Sequence, residues 1–168
     1  ENVVKWGNAS AVVTKNEPAD FAPLRNFFDF VLVDAPCSGE GMFRKDSFAV
    51  EQWSVANVRQ CARKQREILS DIWDSLRPGG LMVYSACTFN REENEDCVEW
   101  IAETLGAEVL NVETEEGWNI VGSLTTKGLP VFRFVPGRTR GEGLFMALLR
   151  KDGDAGISQH RMPRMKAV

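Results

Sequence analysis

The chain lacks the features that would assign it at once to several large classes. Its 168 residues include one histidine, and the four cysteines Cys37, Cys61, Cys87 and Cys97 form no CxxC pair. A zinc centre needs clustered Cys and His ligands, and a stapled secreted domain needs dense, paired cysteines. Neither pattern is present, so no metal site and four free thiols are expected. No apolar run approaches the roughly eighteen residues of a membrane span. The opening Glu1-Asn2-Val3-Val4-Lys5 lacks the basic-then-apolar order of a signal peptide. The expectation is a soluble cytoplasmic protein. Charge of one sign is missing as well: the net charge is -4, with no overall basic excess of the kind that marks a general nucleic-acid binder.

That average hides an asymmetry. Residues 88–124 hold ten acidic and one basic side chain, whereas residues 125–168 hold three acidic and nine basic. The basic end suits phosphates and the acidic stretch suits solvent. Two solvated faces would look the same, so charge alone does not choose between them.

Strands alternate with helices along the chain. Ala11-Val12-Val13-Thr14 and Phe30-Val31-Leu32-Val33-Asp34 are apolar runs of the kind found in inner parallel strands. From Ser54 to Leu76, Val58, Cys61, Ala62, Ile68, Leu69, Ile72, Trp73 and Leu76 recur at helical spacing. That stretch reads as an amphipathic helix capped by Ser54 and stopped by Arg77-Pro78-Gly79-Gly80. Leu81-Met82-Val83-Tyr84-Ser85-Ala86-Cys87 follows as another buried strand. A second helix is expected from Asn90, where Asn90 and Glu93 make a capping-box-like pair, with Val98, Ile101 and Leu105 on one face. Short strands are then expected at 107–112, 131–135 and 143–149. The pattern implies a doubly wound α/β sheet whose ligands bind at the carboxyl ends of its strands. Asp34 and Cys87 both fall at such ends.

Cys61 and Cys97 lie within helices and read as small core side chains. Cys37 and Cys87 differ, because each sits in a loop just past a strand, where backbone amides can lower a thiol pKa. Pro36 fixes the approach of the chain to Cys37 and so aims the thiol. Gly39 and Gly41 lack the spacing of a phosphate-binding P-loop and read as turn residues. Arg44 and Lys45 place two cations beside the mouth of the cleft.

Three segments together resemble one family. They are Asp34-Ala35-Pro36-Cys37-Ser38-Gly39-Glu40-Gly41-Met42-Phe43-Arg44-Lys45, then Tyr84-Ser85-Ala86-Cys87-Thr88-Phe89-Asn90-Arg91-Glu92-Glu93-Asn94-Glu95, and Arg140-Gly141-Glu142-Gly143-Leu144-Phe145-Met146. In order and separation they are similar to the Sun-type RNA (cytosine-5) methyltransferases, closest to the bacterial enzymes that modify 16S ribosomal RNA. The resemblance covers about residues 1–151 and leaves 152–168 as a linker or tail.

It implies a Rossmann-like class I methyltransferase sheet, S-adenosyl-L-methionine as cofactor and RNA as partner. It also implies Cys87 as nucleophile, Cys37 as the group that assists product release, and Asp34 as a contact to the target cytosine and the cofactor's neighbourhood. Asn16 and Glu17 fall where the family places an adenine contact. Arg44, Lys45, Arg138 and Arg140 are the candidate phosphate contacts. The chemistry fits these residue types: carbon 5 of cytosine is a poor nucleophile until a thiolate adds to carbon 6 and turns the base into an enamine. A carboxyl can hold the Watson-Crick edge and stabilise the charge that develops.

Two departures stand out. Ala86 replaces the threonine usual before the nucleophile, and the resemblance begins after the glycine-rich cofactor loop and first strands. The expectation is therefore the C-terminal part of the methyltransferase sheet, with an isolated chain that is inactive. Two other classes stay open at this level: a non-catalytic RNA-binding module, and a DNA cytosine-5 methyltransferase, whose nucleophile follows a proline as Cys37 does.

Overall fold

The computed structural model describes residues 5–7 and 10–154. Residues 155–168, which include His160 and most of the expected tail, lie outside the described residues. Five strands form one sheet: β1 (Phe28–Asp34), β2 (Leu76–Ala86), β3 (Ala107–Leu110), β4 (Val131–Phe134) and β5 (Leu144–Lys151). The order is β1-β2-β5-β3, and β4 also pairs with β5. β1 and β2 are parallel, and β5 runs against β2, β3 and β4. β3 and β4 share one edge of β5, opposite residues 148–151 and 144–147 respectively. The helices are α1 (Ser47–Gln52), α2 (Val55–Trp73) and α3 (Glu95–Leu105), with a 3-10 turn at Pro18–Phe21.

α2 follows its expected face. Ser54 caps it by accepting from the Asn57 amide, and Val58, Ala62, Gln65, Leu69 and Trp73 recur on its buried side. Leu69 and Trp73 from α2 join Val98 and Ile101 from α3 over Met82, Tyr84, Phe145 and Leu149 of the sheet. Burying side chains of this size stabilises by roughly 1.5–3 kcal/mol each. The helices cover this face, whereas Phe30 and Leu32 on the opposite face are 51% and 59% exposed.

Several expectations need correction. β1 is an edge strand among the described residues, not an inner one, because its only described ladder partner is β2. Residues 11–14 form no strand, and Val12 and Val13 are exposed. A strand exists only with a partner ladder, and no described strand lies beside them. Leu76 belongs to β2, because α2 ends at Trp73. The Arg77-Pro78-Gly79-Gly80 segment lies inside β2, where the pairing with β1 jumps from Phe28↔Leu76 to Phe30↔Leu81. This bulge accommodates Pro78, and Gly79 supplies its positive φ of 72°. α3 starts at Glu95, because the Asn90–Glu93 pair is engaged in a turn ahead of the helix. α1 was not foreseen; Asp46 caps it by accepting from the Phe48 amide.

Among the described residues no helix is long and apolar enough to cross a membrane. None of their His, Cys, Asp and Glu side chains form a group of three suited to a metal.

Candidate active site

The two parallel strands β1 and β2 end side by side, Asp34 opposite Ser85. Parallel strands in register bring their following loops to the same end of the sheet. Asp34 is exposed, and the Ser85 hydroxyl donates to its Oδ1 at 3.2 Å. The loop after β1 carries Cys37, and the residue after β2 is Cys87. Their sulfurs lie 3.2 Å apart, within hydrogen-bond reach.

This pairing divides the two thiols. A hydrogen bond from Cys37 lowers the Cys87 pKa, against burial and the nearby Asp34 and Glu93 carboxylates, from 9.0 to about 7. The same bond to Cys87 raises the Cys37 thiol, and burial raises it further. The two shifts run in opposite directions and make Cys87 the more acidic thiol of the pair. Burial raises the other two thiols, Cys61 and Cys97, as expected of inert side chains.

A polar cluster beneath the sulfurs joins the two loops. Glu93 is fully buried. Its carboxylate accepts from the Ser38 amide at 2.9 Å, from the Ser38 hydroxyl, from Gln65 of α2 at 2.9 Å and from Asn90 Nδ2 at 2.6 Å. The Tyr84 hydroxyl donates to the Glu93 carbonyl at 2.7 Å, and Gln65 also donates to the Pro36 carbonyl. Thr88, the buried hydroxyl after the thiolate, contacts Ser38 at 3.1 Å and accepts from Asn90 at 2.9 Å. Glu40 adds a second tie by accepting the Phe89 and Asn90 amides at 2.6 and 2.8 Å. Ala86 is wholly buried at the end of β2 and pairs with Phe145.

Behind the cluster, Arg133 of β4 and Glu95 of α3 form a buried ion pair. Arg133 Nε donates to Glu95 Oε1 at 2.8 Å, its NH2 donates to Oε2, and its NH1 donates to the Phe89 carbonyl at 2.9 Å.

The remaining expected residues are more dispersed. Arg44 and Lys45 are exposed and lie 3.9 and 3.6 Å from the Glu142 carboxylate, which ties the loop before β5 to the cysteine loops. Arg138 and Arg140 are exposed, and among the described residues neither makes an ion pair. Asn16 and Glu17 cap the 3-10 turn: the Glu17 amide donates to Asp20 at 2.9 Å, and Asn16 Nδ2 reaches the same carboxylate at 3.4 Å. Asn16, Glu17 and Asp34 are exposed side chains that do not enclose a nucleoside.

Sequence reading missed Ser38, Gln65, Thr88 and the buried roles of Glu93, Glu95 and Arg133. The only available signal was the Asn90–Glu93 spacing, which was assigned to a helix cap.

Ribosomal RNA small subunit methyltransferase F of Salmonella paratyphi A is 41% identical over 153 residues, 89% of this chain and 31% of the relative. The protein of the same name from Citrobacter koseri is 40% identical over the same share. The chain thus spans about a third of the length of these relatives. Among solved structures, NSun6 from Pyrococcus horikoshii with SFG aligns at a TM-score of 0.70 and 26% identity, covering 91% of this chain and 38% of that one. A methyltransferase homolog protein from Pyrococcus horikoshii aligns at 0.73 and 25% identity, covering 89% and 48%. The family model of 16S rRNA methyltransferase RsmB/F matches residues 1–150 of the 168, and the chain belongs to that family.

Proposed function

We propose that this chain carries the catalytic part of an enzyme that methylates carbon 5 of cytosine in RNA, with 16S ribosomal RNA as the substrate. The observation that carries the proposal is the pair of sulfurs 3.2 Å apart at the ends of two parallel strands, with Cys87 the more acidic of the two. S-adenosyl-L-methionine supplies the methyl group when bound.

The chain's own residues do the rest. The Cys87 thiolate forms a bond to carbon 6 of the base, and the ring electrons shift so that carbon 5 becomes nucleophilic. Asp34, exposed at the end of β1, orients the base by its Watson-Crick edge. After methylation water takes the carbon 5 proton, the electron pair it leaves restores the carbon 5–carbon 6 double bond, and the carbon 6–sulfur bond breaks with its electron pair returning to the Cys87 sulfur. Cys37 lies beside that sulfur and assists this release. Arg44, Lys45, Arg138 and Arg140 hold phosphates around the mouth. Asn16 and Glu17, with Asp34, form the flank of the cofactor site that this chain contributes. In this proposal residues 1–151 are part of the catalytic domain, 152–168 are a linker or tail, and the protein works in the cytoplasm, where ribosomal RNA is modified.

The test uses the enzyme with its complete cofactor site. Cys87→Ala should abolish methylation and leave no covalent complex. Cys37→Ala should accumulate a protein-RNA adduct that survives denaturing electrophoresis, because addition, though slower without the Cys37 hydrogen bond to Cys87, outpaces an elimination that lacks Cys37. The reverse pattern would assign the nucleophile to the Pro36-Cys37 loop and favour a DNA-type mechanism. Full activity in both variants would refute the catalytic proposal.

A further inference from the structure

Glu93 has no part in the chemistry just described, yet it is among the most completely buried polar side chains in the chain. A buried carboxylate is costly unless its oxygens are well supplied with donors. Here the donors are neutral and come from three separate segments: the amide and hydroxyl of Ser38, one residue after Cys37; Nε2 of Gln65 on α2; and Nδ2 of Asn90, three residues after Cys87. Gln65 spans the gap a second time by donating to Pro36, one residue before Cys37. The carboxylate is therefore the common acceptor of the cysteine loops and the helix beneath them. Such a network specifies one arrangement, because removing its centre orphans several buried donors at once.

We propose that Glu93 is a positioning residue, whose carboxylate holds the Cys37 and Cys87 loops at the separation that lets the two sulfurs share a hydrogen. The inference deepens the methyltransferase proposal and rests on it for its consequence in catalysis, but the contact itself can be read without RNA or cofactor.

The titratable groups around Cys87 are Cys37 and Asp34 from the β1 side and Glu93 from the turn after β2, with Glu40 on the amides of Phe89 and Asn90. Charge and positioning predict opposite signs at this thiol. The negative charge of Glu93 disfavours the Cys87 thiolate, so loss of the charge alone would make Cys87 more acidic. Loss of the positioning would separate the sulfurs, remove the Cys37 hydrogen bond and make Cys87 less acidic.

The experiment is the pH dependence of iodoacetamide alkylation at Cys87 in the 168-residue chain, resolved by peptide mass spectrometry. Wild type should show a midpoint near 7. Glu93→Gln keeps the volume but presents an amide where four donors converge; its midpoint should move toward that of an ordinary thiol, with alkylation at pH 7 falling about tenfold or more. An unchanged or lower midpoint overturns the proposal. If Glu93→Gln does not fold by circular dichroism, Ser38→Ala decides, since it removes one donor and should give a smaller rise of the same sign; no rise there overturns the proposal equally. Failure of the methyltransferase proposal would appear instead as wild-type enzyme, with complete cofactor site, that does not methylate RNA.

Discussion

Gly41 donates its amide hydrogen to the Cys87 carbonyl at 2.9 Å, and a β-carbon at position 41 would stand 2.9 Å from that same oxygen. The backbone of the β1 loop thus touches the backbone of the Cys87 loop, with a second carbonyl, that of Glu142, 3.3 Å from the same β-carbon position. Neither neighbour is a flexible side-chain end, so Gly41→Ala must push two main-chain segments apart. The expected cost is about 1–3 kcal/mol in urea unfolding. Covalent capture of RNA by the complete enzyme should slow more than this stability loss explains, because the Cys87 carbonyl moves with its thiol.

The order of thiol reactivity follows from the lowered pKa of Cys87. At pH 7 a limiting amount of iodoacetamide should label Cys87 first, leaving Cys37, Cys61 and Cys97 largely untouched. Cys37→Ala removes the donor and should shift Cys87 labelling to higher pH. Peptide mapping after short exposure checks both; preferential labelling of Cys37 would reverse the assignment.

Arg133 and Glu95 should behave as a unit in stability. Arg133→Met leaves a buried carboxylate without its cation and should cost roughly 3–5 kcal/mol, whereas pairing it with Glu95→Leu should recover much of that loss. Burial pushes the Glu95 carboxyl up, but the Arg133 guanidinium and the Leu124 amide outweigh it and leave the group below its ordinary value. A depressed carboxyl stabilises fully above its unfolded pKa, and that contribution disappears as pH falls through the folded one. Urea midpoints measured from neutral pH down through the carboxylate range should therefore decline more steeply for wild type than for the double variant.

Cofactor affinity is the fourth expectation. Tight binding of a nucleoside needs enclosure and oriented backbone amides, and Asn16, Glu17 and Asp34 are exposed. Titration calorimetry of the 168-residue chain with S-adenosyl-L-methionine should show no micromolar binding. A clear micromolar isotherm would mean that these side chains form a more complete site than their exposure suggests.

The parts of this structure that could be read in sequence are those set by neighbours in the chain. α2 announced itself through Ser54 and the recurrence of Val58, Ala62, Leu69 and Trp73, and the strand-end positions of Asp34 and Cys87 followed from apolar runs. Misreadings arose where a distant partner decides. Residues 11–14 have the composition of a strand but no ladder to join. Arg77-Pro78-Gly79-Gly80 has the composition of a stop but lies in a bulge tolerated by β1. Asn90 and Glu93 have the spacing of a helix cap, yet Glu93 takes its donors from positions 28 and 55 residues away as well as from Asn90. No local pattern encodes that arrangement.

The place of β2 in the sheet has a consequence for motion. Residues 81–85 of β2 are laddered to β1 on one side and β5 on the other, while β1 has a single described neighbour. Opening free energies are lowest at sheet edges and highest in doubly paired strands. Amide hydrogens of 82–86 should accordingly outlast those of 30–34 in deuterium exchange. In this chain Cys87 follows a strand paired on both sides and Cys37 follows one with a single described partner, so fluctuations in the gap between the sulfurs come mainly from the Cys37 side. The Cys87 sulfur is the better anchored of the two, and Cys37 has more room to approach and withdraw.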